Sequence, residues 1–444
     1  MKRFIIILLI TITTFFKGQN KMELEKGTKA VIPFQLINSL IFIPVQLNGV
    51  SLTFLLDSGV GNTIIFSTQD KDLSLNDVSK MKFTGLGGSA EIEGVLSQKN
   101  ILSFGKDLID KEHTIYLILN EEFNFSSHIG IPVNGIIGYE FFKDYPVKID
   151  YVKKKITIYS NQKEFERAVR KAAPFGITLE GDKPYIIADI QMTTAPKPSK
   201  LLIDLGNGDP VWIFPSLIKN FVYNRPNIDD YLGRGFNGDI FGKRSRIRRF
   251  SIGEFSFEKP LTAMPDEFSI QHLKLVPDRK GSIGGEILRR FTVFFDYPNS
   301  KIYLKKNKNY NDPFHFNMSG LDLRHDGMIW DKDLVSIPTT KSKESPREGV
   351  EVNLGDSFQY KFVLKPSYSI AGCREDSPAY KAGLRKNDKL VTVNGKPAGS
   401  YTLEQLNELF KSEEFKVIKI TVTRNSETFN FSFALEDPIP YQEN

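Results

Sequence analysis

The first 305 residues of this chain carry an internal repeat. The run Leu52-Thr-Phe-Leu-Leu-Asp57-Ser58-Gly59-Val-Gly-Asn-Thr-Ile-Ile-Phe66 returns as Lys200-Leu-Leu-Ile-Asp204-Leu205-Gly206-Asn-Gly-Asp-Pro-Val-Trp-Ile-Phe214. Each copy is an apolar run, an Asp-x-Gly, a turn-forming stretch and a second apolar run. Further on, Gly135-Ile-Ile-Gly138 returns as Gly281-Ser-Ile-Gly284, and Val147-Lys-Ile-Asp150-Tyr151 as Phe294-Phe-Asp296-Tyr297. Asp57 and Gly138 stand 81 residues apart, Asp204 and Gly284 80; Asp57 and Asp150 stand 93 apart, Asp204 and Asp296 92. Matched landmarks at matched spacing define a duplicated unit. Short runs rich in Ile, Val, Phe and Thr, broken by Gly, Pro and Asn, predict strands throughout both copies. Two pseudo-symmetric lobes are expected, over residues 30–160 and 175–305.

The remaining length asks for one more domain, since 444 residues exceed what one domain holds. Hydrophobic residues at 40% and charged ones at 25% are globular values, and 35 phenylalanines favour cores built on aromatic rings. The net charge of +6 is spread along the chain. Its densest basic run, Lys243 to Arg249, partly alternates with other residues as on the wet face of a strand. No RNA or DNA motif accompanies it, so nucleic acid is not an expected partner. A single cysteine, Cys373, excludes an intramolecular disulfide. It sits in an apolar strand-like run and reads as a small core side chain rather than a nucleophile. The five histidines show no metal spacing, and no G-x-S-x-G is present, so metal, serine and cysteine chemistry lack a motif and no cofactor is implied. Residues 1–19 read as a signal peptide: Lys2 and Arg3 precede thirteen largely apolar residues, Phe4 to Phe16, too few to span a bilayer. The expectation is an exported protein, periplasmic or secreted, without a stable membrane anchor.

The repeated landmarks resemble the aspartic protease superfamily, near its retropepsin-like branch, over roughly residues 30 to 305. Asp57-Ser58-Gly59 is similar to the Asp-Thr/Ser-Gly turn of that family, and Ile136-Ile137-Gly138 and Ser282-Ile283-Gly284 to the apolar-Gly strand behind it. The resemblance implies two lobes of double-psi-type β-barrel, a protein or peptide substrate, and Asp57 and Asp204 as the catalytic pair. Two carboxylates that close cannot both ionise cheaply, so they share a proton. The ionised member activates a water and the protonated one polarises the scissile carbonyl, with activity favouring acidic pH. The active-site turns would be Asp57-Ser58-Gly59 and Asp204-Leu205-Gly206. Leu205 stands where the family has Thr or Ser, which removes half of the expected hydroxyl network between the turns. Asn207-Gly208-Asp209 departs too. These departures support a second reading, an aspartic-protease-like peptide-binding adaptor that does not cut. Flap hairpins are expected at Gly85-Leu-Gly87-Gly88, 28 residues after Asp57, and at Gly233-Arg-Gly235-Phe-Asn-Gly238, 29 after Asp204. The second matches G-x-G-x-x-G, but no apolar helix follows it, and a Gly-rich hairpin accounts for it better than a dinucleotide site.

Beyond a polar linker, Lys305 to Pro313, the pattern changes. Ser377-Pro378-Ala379 opens a short helix that Gly383 stops. A strand then runs into the Asn394-Gly395 turn. Thr402-Leu-Glu-Gln405 is a capping box opening an amphipathic helix, and two strands, 416–424 and 428–435, follow. The series resembles a bacterial-type PDZ domain over residues 314–437, an α+β fold. That resemblance implies a C-terminal peptide ligand added as a strand, its carboxylate held by a loop. Ser319, Gly320 and Leu321 are the candidate loop, residues 322–325 the candidate groove strand, and 326–357 an insertion. The function expected is aspartic endopeptidase activity on exported proteins or peptides, with the PDZ domain recruiting or regulating.

Overall fold

The computed structural model describes residues 22–68, 71–84, 91–118, 126–192, 195–219, 221–235, 238–271, 275–336 and 358–441. Residues 1–19, the expected signal peptide, and the glycines Gly85, Gly87 and Gly88 lie outside them. Strands dominate, and among the described residues no helix is long and apolar enough to cross a membrane.

The repeat becomes two sheets with the same centre. In the first lobe the strands Thr63–Ile65, Gly135–Ile137, Val50–Leu56 and Leu40–Leu47 are neighbours in that order; in the second they are Val211–Ile213, Arg279–Ile283, Lys197–Ile203 and Lys183–Gln191. In both, the glycine strand runs parallel to the strand that leads into the Asp and antiparallel to the one that follows it. The strands leading into Asp57 and Asp204 each end in three consecutive buried residues, because both of their faces are covered there.

The last landmark of the repeat builds the seam between the lobes. Val147–Asp150 pairs antiparallel with Phe291–Asp296, and the two lie at the centre of a six-stranded sheet shared by both lobes. One apolar core runs through that seam, with Phe142 stacked on Tyr297 at 5.2 Å between ring centroids. Two equivalent hairpin turns, Asn38-Ser39 and Gly181-Asp182, take positive φ of 50°, 64°, 55° and 63°. Each leans on the opposite lobe: a Cβ at Gly208 would lie 2.4 Å from the Asn38 carbonyl, and one at Gly61 3.6 Å from Asp182 Cβ. The post-Asp loops thus exchange contacts about a pseudo-twofold axis.

The C-terminal domain orders its strands Leu321–Ser336, Phe358–Cys373, Lys389–Val393, Val417–Arg424 and Glu427–Ala434. Its caps are those the sequence indicates. Ser377 Oγ accepts from the Tyr380 amide, Gly383 is left-handed, and both bonds of the Thr402–Gln405 capping box form at the start of the helix Leu403–Phe410. Three expectations need correction. The described part of the insertion is strand: residues 326–336 prolong the groove strand and pair with Phe358–Cys373, while 337–357 lie outside the described residues. The linker is packed rather than free. Arg290, 1% exposed, donates to the Tyr310 and Pro313 carbonyls and lies 3.8 Å over the Phe314 ring. In the basic run, Lys243 faces solvent but Arg246 does not. It donates to the Phe314 and Ile439 carbonyls and pairs with Asp437 at 3.1 Å, fastening both ends of the PDZ domain to the second lobe.

Candidate active site

Asp57 and Asp204 follow the two buried strand ends, so the fold delivers one carboxyl from each lobe to the pseudo-axis. Their amides donate to the equivalent carbonyls of Ile137 and Ile283, both at 2.9 Å. Glycine is required behind each turn. A Cβ at Gly138 would lie 2.0 Å from the Val60 carbonyl, and one at Gly284 2.1 Å from that of Asp209. Gly59 and Gly206 then let the carboxyls meet. A Cβ on Gly59 would sit 3.0 Å from Asp57 Oδ1 and 3.1 Å from Asp204 Oδ1, and one on Gly206 would sit 2.2 Å from Asp57 Oδ2. Each of these glycines also donates its amide to the Asp two residues before it, at 2.7 Å for Asp57 and 3.1 Å for Asp204.

The carboxyls are hydrogen-bonded to each other and hemmed in by protein. Burial first, and then the negative charge of Asp204, push Asp57 up to about 8. Burial raises Asp204 as well, against the opposing pull of Arg279, the Gly206 amide, the bond from Asp57 and Lys183. Both carboxyls are raised, so the pair holds one proton between them while the other carboxyl ionises.

Ser58 locks the turns together from one side only. Its fully buried hydroxyl donates to the Ile203 carbonyl at 2.6 Å and accepts from the Leu205 amide at 3.0 Å. Leu205, 1% exposed, packs into the common core instead of returning a hydroxyl. The Asn207-Gly208-Asp209 departure has a structural use. Asn207 accepts from the Asp209 amide and donates to Ser282 Oγ. Asp209 accepts from Trp212 at 2.7 Å and pairs with Arg244 at 2.6 Å, and Arg244 also pairs with Asp230 at 2.6 Å. This chain of charges ties the catalytic loop to the second flap hairpin. It corrects the solvated reading of Arg244, whose side chain is 12% exposed.

The candidate flap is the hairpin Ile228–Gly235 with Gly238–Arg246, closed by the Gly235–Gly238 pair, with Gly233 at φ +144° beside a register shift. The first flap pairs Val78–Thr84 with Glu91–Phe104, and its glycine tip lies in the undescribed residues 85–90. Three side chains beside the dyad escaped sequence reasoning: Lys183, Tyr185 and Arg279. The signal that finds them is the misfit between the copies. A buried Asp110–His113–Thr63 chain, with contacts of 2.8 and 2.7 Å, has every member at most 2% exposed, so no substrate reaches it.

In the PDZ domain the predicted loop is already satisfied internally. The amides of Ser319 and Gly320 donate to Asn317 Oδ1 and that of Leu321 to Ser319 Oγ, while Ser319 and Leu321 are fully buried. The groove strand Leu321–Ser336 is an edge strand, and the first lobe reaches it. The short helix Ser126–Ile129 lies against that strand, and Gly130, at φ +82°, abuts Leu403, where a Cβ would come within 2.9 Å.

Paired lobes with one Asp-x-Gly turn each, joined to a PDZ domain, define an aspartic-protease-like protein with a PDZ module. A family model for the PDZ domain matches residues 370–424. The chain is 31% identical over 102 residues, 23% of its length, to the Retrovirus-related Pol polyprotein from transposon 412 of Drosophila melanogaster, of which it spans 7%. It is 29% identical over 107 residues, again 23% of its length, to the Probable CtpA-like serine protease of Staphylococcus haemolyticus (strain JCSC1435), of which it spans 21%. Among solved structures, the aspartic proteinase from Irpex lacteus aligns with a TM-score of 0.42 at 11% identity, over 64% of this chain and 99% of that one.

Proposed function

We propose that the protein is an exported aspartic endopeptidase that hydrolyses peptide bonds of exported proteins or peptides, its PDZ domain recruiting substrate or regulating access. The observation that carries the reading is the meeting of the Asp57 and Asp204 carboxyls, one from each lobe, with Asp57 raised to about 8. Ionised Asp204 takes a proton from a water as its oxygen adds to the scissile carbonyl, and Asp57 gives its proton to the carbonyl oxygen. Collapse of the tetrahedral intermediate expels the amine, which leaves protonated, and the dyad returns to its single-proton state.

The single hydroxyl between the turns, with Leu205 in place of a second, favours one other reading: a peptide-binding adaptor that does not cut. Incubation of the purified mature protein with an unfolded protein mixture from pH 3 to pH 8 separates the two. New termini that vanish with an aspartic-protease transition-state inhibitor, and in Asp57→Asn and Asp204→Asn, are the expected result. Cleavage that survives both substitutions sinks the mechanism; absence of cleavage at every pH favours the adaptor.

A further inference from the structure

The duplication provides an internal control, because each position beside one aspartate has a counterpart beside the other. Tyr185 pairs with Leu202 as Phe42 pairs with Leu55, each the second residue before its Asp. Carried two residues further, the register sets Lys183 opposite Asp204 and Leu40 opposite Asp57. Residues opposite one another in an antiparallel pair share a face, with Cβ atoms about 5 Å apart. Likewise Arg279 stands five residues before Gly284, where the first lobe has Val133 five before Gly138. The lobes agree in glycines and aspartates, and in register from Gly135 and Gly281 onward, yet two apolar positions of the first have become cations in the second, Arg279 beside a register shift.

Neither cation has a carboxylate in salt-bridge contact among the described residues. Arg279 is oriented without one: its Nε donates to the Gly281 carbonyl at 3.1 Å, the guanidinium lies 5.1 Å over the Phe214 ring, and it bonds the Tyr185 phenol. Lys183 is half-buried, and burial, then the Arg279 charge, lower its pKa. The negative charges acting on these two groups are those of the dyad and of Asp182 at the turn; the Tyr185 phenol that Arg279 bonds stays neutral at physiological pH. With one proton held on the dyad, its single charge and that of Asp182 face the two cations, neither of them in salt-bridge contact. Partly desolvated cations so placed are strong sites for an anion that completes them.

We propose that Lys183 and Arg279 form a carboxylate-binding subsite beside Asp204, selecting substrates with an acidic group within a residue or two of the scissile bond. This deepens the peptidase reading of the same cleft and rests on it. The carboxylate has two sources, an internal Asp or Glu side chain or the free C-terminus of a short peptide.

The test uses the full chain carrying Asp57→Asn, whose amide imitates the protonated Asp57, so that binding is read without turnover. Labelled decapeptides are compared by fluorescence anisotropy at pH 6: central Glu or central Gln, each with a free or an amidated C-terminus. Expected is binding of the Glu peptide about tenfold to a hundredfold tighter than the Gln peptide, weakening with salt. Lys183→Met or Arg279→Met should bring that ratio to within about twofold, and Lys183→Arg should keep it; thermal unfolding shows that the variants are folded. A preference that follows the free terminus instead of the Glu assigns the subsite to C-terminal carboxylates. Equal affinity of all four peptides, or no binding of any, overturns the subsite. Discrimination in Asp57→Asn, with no cleavage of any peptide by the unsubstituted protein, retains the subsite and sinks the peptidase.

Discussion

Replacing Ser58 by Ala removes one oxygen and breaks the only hydroxyl bridge observed between the catalytic turns. The hydroxyl serves two backbone groups of the opposite lobe, accepting from the Leu205 amide at 3.0 Å and donating to the Ile203 carbonyl at 2.6 Å. Ser58, Ile203 and Leu205 are each at most 1% exposed, so solvent cannot take over either bond without the lobes parting. A buried backbone group left without a partner costs about 1–3 kcal/mol, which puts the substitution at about 2–5 kcal/mol. With a urea dependence of about 3 kcal/mol per molar, the midpoint should fall by about 1 M or more. Activity should fall further than stability, because the bridge fixes how far apart Asp57 and Asp204 sit, and misplacement by about 1 Å costs on the order of a hundredfold. Ser58→Thr keeps both bonds and should keep kcat, losing only what its extra methyl strains in a filled site. Urea titration and peptide cleavage, run side by side, are the assay. A Ser58→Ala protein within about 0.5 kcal/mol of the parent and with its kcat would refute the reasoning.

The dyad sets the pH dependence. Burial and Asp204 push Asp57 up to about 8, so, in place of the acidic preference expected from the sequence, kcat/KM should hold through neutrality and fall above about pH 8; on the acid side it falls as the second carboxyl, itself raised by burial, takes a proton. A rate that already declines between pH 5 and 6 would contradict this. The same raised pKa means that the folded chain binds this proton more tightly than the unfolded one. Its stabilisation is complete below the unfolded carboxyl value of about 4 and is lost as pH rises towards 8, so Asp57→Asn should flatten Tm against pH over that window. Arg244→Met leaves Asp209 and Asp230 facing one another without their cation. It should cost about 2–4 kcal/mol by denaturation and loosen the flap hairpin to hydrogen exchange, and unchanged exchange there would refute the tie. Gly130→Val adds a Cβ at positive φ, 2.9 Å from Leu403, so limited proteolysis near residues 126–130 should accelerate as the segment lifts from the PDZ groove strand; an unchanged rate would show that the contact does not hold it.

What the sequence disclosed and what it hid follow the range of the forces involved. Turn chemistry is local, so Ser377, Gly383, Asn394-Gly395 and Thr402–Gln405 were legible where they stand. The repeat spacing is long-range yet still written in the chain, and it marked both aspartates and both glycine strands, while the seam those last landmarks build showed only in the structure. Charge partners are neither. Lys243 to Arg249 alternates like a wet strand, and nothing nearby shows that Arg244 faces Asp209, 35 residues back, or that Arg246 meets Asp437. The contact at the PDZ domain was unreadable for the same reason: residues 126–130 belong to the first lobe, almost 200 residues before the strand they lie near. The loop at Ser319 to Leu321 looked available because its internal acceptor, Asn317 Oδ1, competes for the amides a carboxylate would need.

Comparing the two copies separates what the fold demands from what the site demands. Gly138 and Gly284 agree because a side chain at either would overlap a carbonyl of the catalytic loop, a purely steric requirement that any duplicated lobe of this kind meets. Ser58 and Leu205 disagree although both are buried at the same seam, and the fold tolerates the difference because one hydroxyl satisfies both backbone groups on its side. Leu40 against Lys183 and Val133 against Arg279 disagree in another way. An apolar side chain suffices for packing at these positions, as the first lobe demonstrates, so the cations of the second are not needed to hold the sheet together. A half-buried lysine beside a guanidinium carries desolvation and repulsion that folding alone gives no reason to accept. The cost is offset by negative charge, within the protein from Asp182 and the ionised dyad and, in the subsite proposed above, from the acidic group of the substrate, which would tie the asymmetry of the lobes to the chemistry of the substrate.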